Sequence, residues 1–394
     1  MRFVGIDVAA ERHMIASVDA EGSVLLKPRP FTEDAAGYAQ VFEQLGGPEA
    51  TLIALEATGH YWKNVFAALV TRGFSVAVLN PLRTHRFAAA DLQRTHTDAI
   101  DALGIARFAA QKRPPATRLP EPALEELREL VRFRDRLVQD VGDRVRQLHR
   151  LVDLGFPEFT RHVQDLGGPL ATALLQAYPT AAAFAGSTPR RVAGLRYDGR
   201  HRVGDALAAA LLAAAACSVG RHHGEAYRLQ VRYLCEDLDR LRQRLRALER
   251  DIERLVGTHE VGRLLTTIEG IGPQTSARLV ATFGDFSGFA SGAAVASYVG
   301  AIPALRQSGK RTAIRAGLTP IGAADLRAKL WMPVLVAVRK NPWLRAYYDR
   351  LRARGKLPKV ALMAAMRKLL HAIYSVATHR RPFVPQVASS ATGR

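Results

Sequence analysis

The sequence is poor in cysteine, in acid and in long apolar runs, and each shortage excludes a class of protein. Only two cysteines occur, Cys217 and Cys235, too few for a disulfide framework or a Cys-rich zinc site, so a reducing cytosol is the default compartment. No stretch reaches the roughly 18 uninterrupted apolar residues that a membrane-spanning helix needs; the longest candidate, Ala206 to Cys217, is Ala-rich and too short. The opening Met1-Arg2-Phe3-Val4-Gly5-Ile6-Asp7 puts an acid where a secretory leader carries its apolar core. A soluble, cytoplasmic protein with no membrane partner is expected. Acids number 36 against 56 Lys+Arg, which leaves a formal charge of +20 on 394 residues. An excess of that size costs self-repulsion and draws phosphate backbones, so nucleic acid is the expected partner. Hydrophobic residues still make up 48%, enough for two or three domains with cores of their own, and global disorder is excluded.

The first 115 residues read as an α/β domain. Strands are expected over Phe3 to Val8, His13 to Val18 and Ser23 to Lys27, close together in sequence as in an antiparallel meander. A helix around Glu33 to Leu45, the strand Thr51 to Glu56, a helix around Tyr61 to Thr71, the strand Ser75 to Leu79 and a helix over Thr97 to Gln111 follow. Three strands and then helix, strand, helix, strand, helix is the order of the ribonuclease H-like fold. The passage from Pro114-Pro115 through Pro120 and Pro122 cannot continue a helix and reads as a linker.

Residues 116–257 carry two long apolar repeats. Leu127, Val131, Val138, Val141, Val145, Leu148 and Val152 form the first, with Arg134 at the one skipped seam position. Val231, Leu234, Leu238, Leu241, Leu245, Leu248, Ile252 and Leu255 alternate steps of three and four, the signature of a coiled coil. The two runs can pair within one chain or between chains, and the Ala-rich stretch Pro157 to Gly224 between them is expected to be a helical cap. Residues 258–394 form a third, mostly helical domain. It opens on Ile268-Glu269-Gly270-Ile271-Gly272-Pro273, a Gly-x-Gly turn between two helices. Gly270 and Gly272 would let backbone N–H groups meet a phosphate at the following helix N-terminus; the motif alone suits a plain helix turn as well, and the basic chain around it favours the phosphate contact.

Four acids stand at informative places: Asp7 within the first apolar strand, Glu56 at the end of the fourth, and Asp98 with Asp101 on the last helix of the domain. An ionised carboxylate among Val4, Ile6 and Val8 is costly unless a cation or hydrogen bonds compensate it. Asp98 and Asp101, three apart, share one helix face and repel. Convergent carboxylates are what a hard cation such as Mg2+ requires, shared with substrate phosphates. Taken singly, Asp98 after the N-cap Thr97 is also what the helix dipole favours, and Glu56 suits any strand end.

The segments Val4-Gly5-Ile6-Asp7, Leu55-Glu56-Ala57-Thr58-Gly59 and Thr97-Asp98-Ala99-Ile100-Asp101-Ala102 closely resemble the Asp-Glu-Asp-Asp transposases of the insertion-sequence type 110 family, the bridge recombinases, including the type 1111 group. The resemblance continues in Tyr298-Val299-Gly300-Ala301-Ile302-Pro303, Gln307-Ser308-Gly309-Lys310, Gly317, Gly322 and Leu326-Arg327, like the family's C-terminal transposase domain with its helix-hairpin-helix. Thr319-Pro320-Ile321-Gly322-Ala323 departs from it, lacking the Lys and Asn usual there.

The resemblance implies a resolvase-like, ribonuclease H-like domain binding Mg2+, or Mn2+ in its place, through Asp7, Glu56, Asp98 and Asp101. It implies Ser308 as nucleophile on DNA through a covalent phosphoserine, with Gly309, Lys310, Arg311, Arg315 and Arg327 against nucleic acid. It further implies donor and target DNA, a structured non-coding bridge RNA that pairs with both, and a homodimer that assembles to a tetramer near the prokaryotic nucleoid. The alternative is a metal-dependent Holliday-junction-type nuclease in which water attacks and Ser308 only binds; a non-catalytic scaffold is a third. Ser276 and Ser297 compete for the serine role but suit capping or packing better. Trp331, Trp343, Tyr347 and Tyr348 lie among cations and suit core packing better than base stacking. His60 and His96 stand near the acids, where either could orient a carboxylate.

Overall fold

The computed structural model describes residues 1–90, 97–306, 314–318 and 322–385, and these form two compact units, Met1–Glu121 and Pro122–Arg394. Ser308, Gly309, Lys310, Arg311 and His96 lie outside the described residues, and Arg315 is described only in its backbone.

In the first unit, β1 (Arg2–Asp7), β2 (Arg12–Val18) and β3 (Val24–Thr32) pair antiparallel in succession. After α1 (Ala35–Leu45), β4 (Thr51–Glu56) joins the other side of β1 in parallel; after α2 (Trp62–Thr71), β5 (Ser75–Leu79) joins β4, also in parallel. The order β3-β2-β1-β4-β5 is compatible with the ribonuclease H-like reading. Two short loops make the first three strands a meander, whereas the parallel pairs need the helical crossovers that α1 and α2 supply. The sequence under-reads β3, which runs on to Thr32, and misses α3 (Pro81–Ala90) ahead of α4 (Asp98–Lys112). Pro28 and Pro30 look like breakers, but β3 is an edge strand, where a missing N–H does no harm.

Period-two alternation divides the sheet's side chains between two cores. Val4, Ile6, Ile53 and Leu55 pack with Val41 and Leu45 of α1 and with Val65, Phe66 and Leu69 of α2. Phe3, Leu52 and Ala54 pack with Ile105, Phe108 and Ala109 of α4 on the opposite face. The Pro-rich passage that follows α4 lies along β5: the Thr117 N–H donates to the Val76 carbonyl at 2.7 Å and its Oγ1 accepts from the Val78 N–H at 2.9 Å. The unit therefore holds chain beyond Pro115.

The second unit is built on two 34-residue helices, α5 (Pro122–Gly155) and, after the cap, α11 (Glu225–Thr258). Arg134 reaches Glu249 at 2.6 Å and Arg144 reaches Asp237 at 3.1 Å, so the two helices pack antiparallel within one chain. Arg134, the break in the apolar seam, is thereby satisfied. The seam itself drifts from the heptad: Leu137 is buried while Val138 is 43% exposed, and Cys235 and Val256 are buried beside Val231 and Ile252. A straight helix of 3.6 residues per turn departs from a seven-residue repeat in this way. Between the long helices, α6 (Phe159–His162), α7 (Pro169–Ala177), α8 (Ala181–Ala185), α9 (Pro189–Gly194), the two-residue strands β6 (Arg196–Tyr197) and β7 (His201–Arg202), and α10 (Asp205–Ala216) form a cap around Phe156, Phe159 and Phe184. Burial pushes the Cys235 thiol in this core up to about 12, as expected for a packing residue.

Beyond α11 lie α12 (Glu260–Leu265), α13 (Pro273–Phe283), α14 (Gly292–Val299), the antiparallel strands β8 (Pro303–Arg306) and β9 (Ile314–Leu318), α15 (Ala324–Lys340), α16 (Pro342–Ala353) and α17 (Pro358–His379). By length and hydropathy α17 could cross a membrane, yet its Leu362, Met366, Leu369, Leu370 and Ile373 are buried in the core of this unit, and a core helix passes the same test. Asp135 of α5 ties the assembly together. It accepts from Arg278 of α13 at 2.7 Å and from Lys329 of α15 at 2.5 Å, and these two cations hold its carboxyl below the usual range even though its partial burial works the other way. Asp135→Ala would leave the part-buried Arg278 without its carboxylate and Lys329 with Asp325 alone. It is expected to destabilise this unit by about 2 kcal/mol, below the value for a fully buried pair, as measured by urea unfolding of the full chain.

Candidate active site in the first unit

Strand register brings the first two acids together. β1 and β4 pair in parallel with Phe3 beside Leu52, Gly5 beside Ala54 and Ile6 beside Leu55, so Asp7 falls next to Glu56 at the carboxyl ends of neighbouring strands. Phe3 and Leu52 face α4, and by the two-residue period Asp7 and Glu56 share that face. Open α/β sheets place ligand sites at such strand ends.

The second pair comes from α4. Thr97 caps the helix, its Oγ1 accepting from the Ile100 N–H at 3.3 Å, which places Asp98 and Asp101 in the first turn. What lets this helix lie against β1 is Gly5: a Cβ there would stand 2.1 Å from the Ala102 carbonyl oxygen and 2.4 Å from the Ala106 nitrogen. The glycine is therefore a spacing device for the site. Gly5→Ala should lift α4 off the sheet and draw Asp98 and Asp101 away from Asp7. The expected results are a loss of about 2 kcal/mol in unfolding free energy and at least a tenfold fall in DNA cleavage, since small displacements of catalytic groups cost on the order of 10²-fold.

The charges converge on Asp7. Burial first, then Asp98, Asp101 and Glu56 in that order, push its carboxyl up to about 6, while the Val8 N–H pulls the other way. A carboxyl so raised marks a place where several negative charges share a small, partly dry volume. Among the described residues, no group of three or more His, Cys, Asp or Glu side chains is spaced as a bound metal ion would require. The donor set nevertheless fits a hard divalent cation in kind: four carboxylates, no sulfur, and mutual repulsion that such a cation would relieve.

Sequence reasoning missed part of this place. A cleft beside the acids is lined by Glu56 and Asp101 together with Thr84, His85, Phe87 and Ile105. Thr84, His85 and Phe87 belong to α3, which the sequence announces only by Asn80-Pro81, a cap residue before a proline at the first helical position. His60 is exposed, its ring centroid 4.3 Å from that of Tyr61.

In the second unit, Gly270 and Gly272 lie between α12 and α13. Gly270 has φ +99° and lies so close to α15 that a Cβ would be 2.5 Å from the Ala337 Cα, so its lack of a side chain serves packing. Gly272 has open space around it and starts α13 with no side-chain cap. Ser276 is buried and donates to the Gly262 carbonyl at 2.6 Å, which fits the packing role expected of it; Ser297 lies exposed on α14. Arg327 donates to the carbonyls of Val299 and Gly300 at 3.0 and 3.4 Å. Trp331, Trp343, Tyr347 and Tyr348 are half-buried against the core, with the Lys368 ammonium 4.1 Å from the Trp343 ring and 4.5 Å from that of Tyr347. Another cleft, in the second unit, runs between Trp343, His379, Arg381 and Phe383, and no carboxylate is among its described lining residues.

Comparison with known proteins bears on both units. Residues 4–157 match a family model of Asp-Glu-Asp-Asp transposases of the IS110 type, and residues 262–349 match a model described as transposase of the IS116/IS110/IS902 family. The chain belongs to the IS110 family of transposases. It is 27% identical over 391 residues to the 44.8 kDa protein of insertion element IS116 from Streptomyces clavuligerus, covering 97% of this chain and 96% of that one. The 43.6 kDa protein of insertion element IS110 from Streptomyces coelicolor is 28% identical over 95% of this chain and 93% of its own length. The pilin gene-inverting protein of Moraxella bovis is 26% identical, covering 84% of this chain and 81% of that protein. As an insertion-sequence transposase the chain acts on DNA, which accounts for its charge of +20.

Proposed function

We propose that this transposase cuts and rejoins DNA strands through a covalent phosphoserine on Ser308, assisted by Mg2+ held between Asp7, Glu56, Asp98 and Asp101. The observation that carries the metal site is the geometry: the register sets Asp7 beside Glu56, and Gly5 lets α4 bring Asp98 and Asp101 against the same strand end, where burial first and then these three charges raise the Asp7 carboxyl to about 6. When bound, the cation would neutralise charge developing on the phosphate and take up the repulsion among the carboxylates. Mn2+ has the same taste for oxygen ligands and would substitute.

The chemistry balances within the chain and its DNA. The Ser308 oxygen attacks the scissile phosphorus and loses its proton as the new O–P bond forms; the bond from phosphorus to the leaving sugar oxygen breaks, and that oxygen takes up a proton. Attack by a second sugar hydroxyl on the phosphoserine reverses the step, joins the new strand and restores the serine. A serine hydroxyl is a weak nucleophile at neutral pH, and Lys310 and Arg311 beside it in sequence would favour the alkoxide and hold the phosphate. Gly309 would put no side chain in the way of the DNA, and Arg315 and Arg327 would add positive charge. Gly270 would shape the helix-hairpin-helix turn, and the open start of α13 at Gly272 suits a backbone phosphate.

The larger assembly follows from the same reading. A structured non-coding RNA would pair with donor and target DNA while the protein grips phosphates. A homodimer assembling to a tetramer on DNA would let the acids of one protomer serve the serine of another.

The test is an assay on DNA carrying the native element ends, with the flanking transcript supplied. Rejoined strands are expected with Mg2+ and none with EDTA. Cut strands that are never rejoined would favour the water-using nuclease instead.

A further inference from the structure

We propose that His13 is a positioning residue for the acidic site, one that fixes the turn directly after Asp7. The inference rests on the metal-site reading above and deepens it. β1 ends at Asp7, and the chain turns through Val8, Ala9, Ala10 and Glu11 before β2 begins. His13, 1% exposed, stands at the start of β2 with its ring against Phe31 at 4.9 Å between centroids. Its Nδ1 accepts from the Ala9 N–H at 3.2 Å, and its Nε2 makes a short hydrogen bond to Glu33 Oε2. A ring nitrogen that accepts from a backbone N–H carries no proton, so the network assigns the proton to Nε2, which donates to the carboxylate.

Glu33 is itself held. Tyr38 donates its hydroxyl to Oε2 at 2.7 Å and Asn64 donates to Oε1 at 3.0 Å. These donors, with His13, keep Glu33 below the usual carboxylate range against the effect of its partial burial. The Glu33 N–H donates to the Glu11 carbonyl at 3.1 Å, so both ends of the turn are tied to the same pair of residues. The Val8 N–H inside that turn is the backbone group that hydrogen-bonds to the Asp7 carboxylate. The chain of contact therefore runs from Glu33 through the His13 ring to Ala9, and by one peptide to the group that orients Asp7.

A buried polar ring is an expensive way to fill a strand face that Leu or Phe could fill. Its use is orientation, as with the outer partners that aim the ligands of metal sites.

The test is calorimetric titration of Mn2+ into the full-length chain, with melting temperature in EDTA as a separate control for folding. Wild type is expected to show a site that Asp7→Asn removes. His13→Gln keeps an amide that reaches Glu33 but leaves the Ala9 N–H without an acceptor, and should weaken Mn2+ binding about tenfold. His13→Asn places an oxygen where Nδ1 stood and should stay within about threefold of wild type. Glu33→Ala leaves the ring unheld but keeps its acceptor for the Ala9 N–H; although it also releases Tyr38 and Asn64, it leaves the buried ring in place and so reads the same link if the His13 variants fail to fold, and it should weaken binding by about threefold to tenfold. Wild-type affinity in His13→Gln or in Glu33→Ala, or equal losses in His13→Gln and His13→Asn, would overturn the inference while leaving the metal site standing. Absence of Asp7-dependent binding in wild type would remove the metal site, and this inference with it.

Discussion

Asp7→Asn is expected to lower strand cleavage by a factor on the order of 10³, while DNA binding and the fold persist. The substitution keeps size and removes charge at the point where Glu56, Asp98 and Asp101 act together. Cleavage by purified variant and wild type on the same element ends, at saturating Mg2+, reads the effect, and a gel-shift checks that binding is kept. The same variant has a second signature. The Asp7 carboxyl, near 3.8 when unfolded, rises to about 6 in the folded chain, so between those values the folded form holds a proton that the unfolded form has lost. The stability contributed by this group is present below the unfolded value and is lost as pH rises through about 6. In EDTA at pH 8, Asp7→Asn should thus be more stable than wild type, by about 1 kcal/mol once solvent screening of a half-buried group is allowed for. At pH 4 the difference should vanish. Saturating Mg2+ should reverse the order at pH 8, because only wild type gains from the cation. A higher melting temperature that coincides with lost cleavage separates a functional acid from a structural one.

Ser308→Ala is the second substitution of large effect. On the proposed mechanism it removes the one atom that attacks, so strand joining should fall below detection, while the acids and the basic surface are untouched. If water were the nucleophile, alanine at this position would lower cutting only by the loss of a contact, about tenfold or less. The two variants complement each other: Asp7→Asn stops both cutting and joining in either mechanism, whereas Ser308→Ala stops both only if the serine attacks.

Much of the first unit was legible in the sequence, for physical reasons. Alternation in Phe3–Val8 and Thr51–Glu56 gives the strand faces, and two short loops followed by two helical crossovers give the sheet order. The placement of Asp7 and Glu56 on the face toward α4 follows once the register is known, because the side-chain period of a strand is two. What escaped was whatever depends on distant partners. His13 reads as an ordinary strand residue until Glu33, 20 positions on, is seen to hold it. Asp135 gives no sign of its role, since Arg278 and Lys329 lie 143 and 194 residues away. Gly5 within a strand hints at a close approach, but only packing identifies α4 as the neighbour. In the long helices the heptad marked the correct helix but the wrong neighbour at Val138, because a strict seven-residue count ignores the drift of a straight helix. The aromatic residues of α15 and α16 fell where a simple packing expectation put them, half-buried against the core.

Covalent attachment of Ser308 to DNA can be read by trapping the adduct in cells that carry the gene with its native flanks, denaturing the lysate, and measuring the DNA that stays with the purified protein for wild type and Ser308→Ala. Element-end DNA is expected on wild type and not on Ser308→Ala, with a tryptic peptide containing Ser308 carrying the phosphoryl group. Mg2+-dependent cutting by wild type with no retained DNA, or equal adducts in both proteins, would contradict covalent attachment at Ser308.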